Sequence, residues 1–219
     1  MGSEKGGRAM NYIENVYICL SAPLLIAVLC FGGRERRNLL FLLAGMTACL
    51  LSSYISTFLA AVQGANLQTA AMEIAPLVEE CMKLFPVLFW LLIFEPEKKS
   101  VPGCVLMLAL GFATFENVCY LTQNGAASFL HLLIRGFGAG TMHVVCGSIL
   151  TMGMLLLWDR LWLRVAGTAG LLAVASTYHG VYNILVSQTG WVAWTGYLIP
   201  MLTAVLIGAF GRKLLRTAA

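Results

Sequence analysis

Charge is what this chain has least of. Only 11% of its 219 residues are Asp, Glu, Lys or Arg, while 59% are hydrophobic, and its mean hydropathy is +0.83. Soluble domains carry about 25% charged residues, so a water-facing globule is excluded. Aspartate is nearly absent: Asp159 is the only one and falls in a linker, which excludes an aspartyl dyad at membrane depth. There is no HExxH, which sets aside a zincin-type site, and no GxSxG elbow to support a serine nucleophile at Ser148 near His143. The seven cysteines form no CxxC pair and all lie in apolar stretches, so they read as small buried residues and not as a disulfide or zinc framework. No basic tract suggests nucleic acid, and no internal repeat or low-complexity segment occurs. No small-residue cleavage site follows the first apolar run, so no cleavable signal peptide is expected.

Long unbroken apolar runs are present instead. They do not alternate, and backbone crossing lipid must pair its polar groups internally, so the expected fold is an all-α polytopic transmembrane helical bundle. Seven spans are expected, at about 12–31, 39–62, 69–94, 101–121, 127–157, 165–186 and 191–211. Residues 1–11 read as a polar N-terminal tail or tag, and 12–219 as a single transmembrane domain.

Lys and Arg are distributed unevenly about this frame. Arg34, Arg36, Arg37, Lys98, Lys99, Arg160, Arg164, Arg212, Lys213 and Arg216 all fall on one side of a seven-span chain, whereas the other side carries only Lys5 and Arg8. The positive-inside rule then places the N-terminus outside and the C-terminus in the cytoplasm. The basic pI of about 8.7 suits anionic lipid headgroups on that face.

Against this background, the ionisable residues inside the spans stand out: Glu79, Glu80, Lys83, Glu116, Arg135, His143 and His179, with Asn183 beside them. A charge at the bilayer centre costs at least about 2.5–3.5 kcal/mol unless paired or wetted, so each is a functional hypothesis. Glu80, Glu116, His143 and His179 all lie roughly 21 Å from the cytoplasmic ends of their spans at about 1.5 Å rise per residue. Four helices would thus deliver two carboxylates and two imidazoles to one layer.

In APLVEECMKLFP, Lys83 sits one turn from both Glu79 (i,i+4) and Glu80 (i,i+3). Two adjacent carboxylates in low dielectric do not both ionise easily. One lysine can hold one of them and leave the other for acid–base work. A helix-packing ion pair is the plainer alternative. Glu116 shares a face with Phe112 and is either part of the same site or a partner of Lys83 or Arg135. His179 and Asn183 are i,i+4, and both can donate to one point, as an oxyanion requires; the alternative is an interhelical hydrogen bond. Gly136 and Gly140 form a GxxxG pair, expected to be a close helix contact. Arg135 and His131 lie nearer the outer surface and read as structural and interfacial.

Taken together, EExxK (Glu79-Glu80-Cys81-Met82-Lys83), FxxxE (Phe112…Glu116), R-x7-H (Arg135…His143) and HxxxN (His179…Asn183) resemble the PrsW-type intramembrane proteases. These are relatives of the CAAX-prenyl endopeptidase superfamily, in which a similar double Glu, a His and an HxxxN/D recur. The resemblance covers roughly residues 70–190, and the first, second and seventh spans match only as generic helices. It implies proteolysis, and the family's best-known activity is site-1 cleavage of a membrane-bound anti-sigma factor in bacterial stress signalling. The superfamily also holds bacteriocin-immunity proteins and scaffold-like members.

The expectation is therefore a glutamic-type intramembrane protease acting on a membrane-anchored single-span protein. Glu79 or Glu80 activates water, Lys83 holds the other carboxylate, Glu116 and His143 position the water or move its proton, and His179 with Asn183 stabilises the oxyanion. The depth of the layer places the cut near the outer side of the membrane. A proton-coupled transporter, or a non-catalytic immunity or scaffold protein, is the rival reading. No metal is expected. The Glu and His side chains are zinc-ligand types, but a lysine beside them competes with a cation. No feature specifies an oligomeric state.

Overall fold

A computed structural model describes residues 13–125 and 128–217. The polar tail read at 1–11 lies outside the described residues. Among the described residues there is no strand, and seven long helices dominate: α1 (Ile13–Cys30), α2 (Gly33–Gln63), α3 (Ala75–Phe94), α4 (Val101–Asn124), α5 (Phe129–Leu157), α6 (Leu161–Val186) and α7 (Trp191–Thr217). The chain is a multi-pass membrane protein. Six of these helices are long and apolar enough to cross a membrane by length and composition. The seventh, α3, carries Glu79, Glu80 and Lys83 within its length, which is why composition alone does not mark it.

Helix limits follow local chemistry. Gly64 ends α2 in the left-handed region at φ 63°, where glycine has no Cβ to clash, and its N–H caps Ala60 O and Ala61 O. At the other end α2 begins earlier than expected. The break is confined to Phe31 and Gly32, so Arg34, Arg36 and Arg37 belong to its first turns and not to a linker. Arg164 likewise lies in the first turn of α6.

The residues before α3 form a three-residue helix (Leu67–Thr69) and then a π-helical turn (Ala70–Ile74). Pro76 contributes to this. It has no N–H, and the Ala75 N–H bonds Ala70 O, so Ala71 O has no donor from its own helix. Asn183 of α6 supplies one, its Nδ2 donating to Ala71 O at 3.0 Å.

The tightest helix crossing is that of α2 with α4. A Cβ added at Gly45 would come within 2.0 Å of Leu108 O, and one added at Gly111 within 2.0 Å of Leu42 O. These two positions require glycine because backbone meets backbone there. The expected contact through Gly136 and Gly140 is not formed. A Cβ at Gly140 would meet nothing within 4 Å, and one at Gly136 only Asn117 Nδ2 at 3.8 Å. Their face of α5 borders a groove whose other wall is Leu110, Ala113 and Thr114 of α4.

Two apolar clusters hold the bundle. One joins Phe41, Leu84, Val87, Leu108, Met142 and Ala175. The other joins Leu43, Met46, Phe112 and Phe115. Phe112 and Phe115 are fully buried on α4, between the two clusters' helices. At the end of the bundle rich in Arg and Lys, Arg37 lies over Trp90 at 5.9 Å, Arg164 over Trp158 at 4.7 Å, and Lys98 pairs with Asp159 at 2.8 Å. Tryptophan and basic residues together suit a membrane interface.

Candidate active site

Four helices carry the polar residues to one place. α3 supplies Glu79, Glu80 and Lys83, α4 Glu116, α5 Arg135 and His143, and α6 His179. Glu80, Lys83, His143 and His179 are all buried, at 0, 3, 0 and 3% exposure, so their charges have to be met by one another.

Glu80 is fully engaged on one oxygen. Its Oε1 accepts from Lys83 Nζ at 2.6 Å and faces His179 Nδ1 at 2.8 Å. Lys83 also reaches His143 Nδ1 at 3.0 Å. An ammonium can only donate, so Nδ1 of His143 accepts. The proton of the neutral ring is then on Nε2, which lies 2.6 Å from Glu116 Oε2. Glu116 in turn takes Arg135 Nη2 on its other oxygen at 3.0 Å, and Arg135 is bonded to Asn117 as well. A chain therefore runs Glu80–Lys83–His143–Glu116–Arg135. The rings pack it: Phe112 lies 4.8 Å from His143, Lys83 Nζ 4.8 Å above Phe112, and His143 and His179 stand edge to face at 5.1 Å.

Glu79 stands apart. Its Oε2 is buried without a hydrogen-bond partner and lies 3.7 Å from His179 Nε2. If His179 donates from Nδ1 to Glu80, Nε2 of the neutral ring is bare towards Glu79. That pair has room for one proton between them. Glu79 also lines a cavity of about 540 Å³ between α2 and α4.

The structure thus brings together six of the seven expected site residues and leaves Asn183 out. Asn183 shares a helix with His179, but its amide serves Ala71 O in the π turn, so the two side chains do not converge on one point. Arg135 is more than a surface residue, being 14% exposed and paired to Glu116, with the Tyr120 ring 3.9 Å away. His131 is exposed and meets Tyr120 Oη at 3.0 Å. Ser148 donates to Val144 O in its own helix and does not approach His143 as a nucleophile would.

Glu79, His143 and His179 each place one ligand atom within 4.8 Å of the others. One carboxylate and two imidazoles are a zinc-type donor set. Glu80 behind His179 orients the ring, as carboxylates do behind metal-binding histidines. Lys83 is a weaker objection than the sequence suggested, because its charge is met by Glu80. Glu79 Oε2 is unpartnered and His179 Nε2 is open towards it, so these two fit a divalent cation, and His143 joins them only by giving up its contact with Lys83 or Glu116.

A family model described as PrsW family intramembrane metalloprotease matches residues 35–209. No curated protein and no solved structure matches the chain.

Proposed function

The chain belongs to the PrsW family of intramembrane proteases, and we propose that it is an endopeptidase in which Glu79 is the base. The observation that carries this is the contrast between two adjacent carboxylates. Both have a buried Oε2 without a hydrogen-bond partner, but Glu80 is pinned through Oε1 by Lys83 and His179, whereas Glu79 borders the large cavity.

In this reading a water in the cavity attacks the substrate carbonyl carbon and gives a proton to Glu79. The C–O bond forms, the amide C–N bond breaks, and Glu79 returns the proton to the leaving nitrogen. His179, held at Nδ1 by Glu80, donates to the developing oxyanion from Nε2 in its protonated form, in which Nε2 carries the proton it shares with Glu79. Lys83 fixes both Glu80 and His143, and His143 with Glu116 holds the far wall of the site. Asn183 acts at one remove, by holding the π turn that precedes Glu79 and Glu80. Glu79 and His179, with His143 once freed from Lys83 or Glu116, would hold a zinc ion, which when bound would polarise a carbonyl or a water in place of the His179 donor, Glu79 keeping one oxygen for the proton.

The substrate we propose is a membrane-anchored protein with a single span, cut near the outer side as in site-1 cleavage of an anti-sigma factor. The end of the bundle opposite the basic residues is where the cavity beside Glu79 lies, and this supports access from outside. A transporter would need a path through the bundle to the basic end, and the buried cluster of Leu84, Val87, Leu108 and Met154 lies there. Co-expression with single-span candidates should give a truncated product with wild type and none with a Glu79→Gln/Glu80→Gln double variant. Equal product from both would end the glutamate reading.

A further inference from the structure

A second cavity, of about 410 Å³, lies on the far side of Arg135, between the π turn and α4–α7. The first cavity, beside Glu79, and this one share four lining residues: Ala71, Glu116, Tyr120 and Arg135. The ion pair of Arg135 with Glu116, stacked on Tyr120, is therefore a strut between them. Both cavities are built from the ends of helices away from the basic pole. Ser56 and Ala60 of α2 wall the first, and Tyr182 and Tyr197 wall the second.

The walls differ in kind. The α2 wall is made of small side chains, and Ser56 Oγ is buried there without a partner. A buried hydroxyl with no partner calls for an explanation, and a substrate backbone would provide one. The other wall is aromatic.

We infer that the two cavities are the two arms of one substrate channel, one for the residues before the scissile bond and one for those after it, and that the substrate lies in it as an extended segment. This rests on the protease reading above. Size supports the extended form. A helix about 10–12 Å across cannot pass the strut of Arg135 and Glu116 that stands between the two cavities. An extended chain, about 5 Å in its narrow direction as judged from strand spacing, can run past Ala71 from one arm to the other. The carbonyl to be attacked then sits in the first arm at its junction with the second, between Glu79 of that arm and the shared Glu116.

The test fills each arm separately. Ser56→Leu narrows the first and removes no hydrogen bond, since Ser56 Oγ makes none. Gln68→Trp narrows the second from an exposed position on the short helix. Single-span test substrates carry Ala or Phe at each position flanking the cut, and products are mapped by mass spectrometry. The reading is the ratio of Phe to Ala cleavage, in which a general loss of activity cancels. Ser56→Leu should lower that ratio about tenfold on one side of the cut and Gln68→Trp on the other. Replacing the flanking residues by Gly should speed cleavage in wild type by freeing the segment from its helix. Both variants acting on the same side, or neither acting, would overturn the two-arm channel while leaving the protease reading intact. A wild type that cuts no substrate would overturn both.

Discussion

Glu80 Oε1 and Lys83 Nζ lie 2.6 Å apart, and neither side chain is more than 3% exposed. They stand one turn apart on the same helix, so the pair forms from α3 alone and needs no other helix to close it. Its effect reaches further. By absorbing the lysine charge, Glu80 leaves Glu79, which makes no charge-assisted hydrogen bond to Lys83 and borders the cavity, as the carboxylate open to a substrate water, and by orienting His179 it aims the second ring nitrogen at Glu79.

The two glutamates should therefore fail in different ways. Glu79→Gln is expected to cut turnover by about 10²-fold or more, the usual cost of losing a general base, with thermal stability in detergent near wild type. Glu80→Gln should lose activity and also about 3 kcal/mol of stability, because Lys83 is left as an uncompensated buried charge. Melting curves beside cleavage assays separate the two. If Glu79→Gln proved the less stable and Glu80→Gln kept its activity, the assignment of base and anchor would be reversed.

The α2–α4 crossing predicts where size is not tolerated. Gly45→Leu or Gly111→Leu drives a side chain into a backbone carbonyl and should destabilise by about 1–3 kcal/mol or more. Gly140→Leu, which meets open space, should leave the melting temperature near that of wild type. Similar melting temperatures for all three would remove the close crossing.

Zinc offers a reading that does not depend on activity. Ligand binding at a concentration of 100 times Kd stabilises by about 2.7 kcal/mol, so zinc added to purified protein should raise the melting temperature. The rise should vanish in Glu79→Gln and His179→Ala and persist in His131→Ala, whose side chain is exposed and away from the cluster. A wild type indifferent to zinc would mean that the donor set is not a metal site.

Orientation is open to reporter fusions. The uneven distribution of Lys and Arg predicts cytoplasmic signals from fusions at 95–100, at 158–164 and after the C-terminus. The new N-terminus of a cleaved substrate should then map to the outer end of its span. A cut in the cytoplasmic half would contradict both the orientation and the depth of the site.

Much of the site was legible because helical spacing and depth are properties of single segments. Glu79, Glu80 and Lys83 share a turn whatever surrounds them, and a polar layer common to four apolar runs is visible in the sequence alone. Pairing between helices was not. Spacing allowed Lys83 to hold either carboxylate, and only the packing of His143 and His179 selects Glu80. The partner of Asn183 was hidden because it is a carbonyl freed by the π turn, and no residue type marks a freed carbonyl. Gly45 and Gly111 went unnoticed because neither has a second glycine four residues away, and it takes the crossing to show that they face backbone. The GxxxG spacing drew attention to Gly136 and Gly140 instead. Of the expected linkers, that before α2 proved shorter, since arginines suit the first turn of a helix at an interface as well as they suit a loop.

The π turn at Ala70–Ile74 also sets a phase. It amounts to one residue more than an α-helix would use, and one residue is about 100° of rotation. Ahead of it lies Gln68 and within it Ala71, both lining the second cavity; behind it lie Glu79 and Glu80. With the extra residue removed and the helix healed, the earlier segment would turn by about a quarter of a circle while the glutamates stayed in place. A single-residue deletion there would thus act as a change of register, leaving the acid–base groups whole and facing a channel wall built for a different angle.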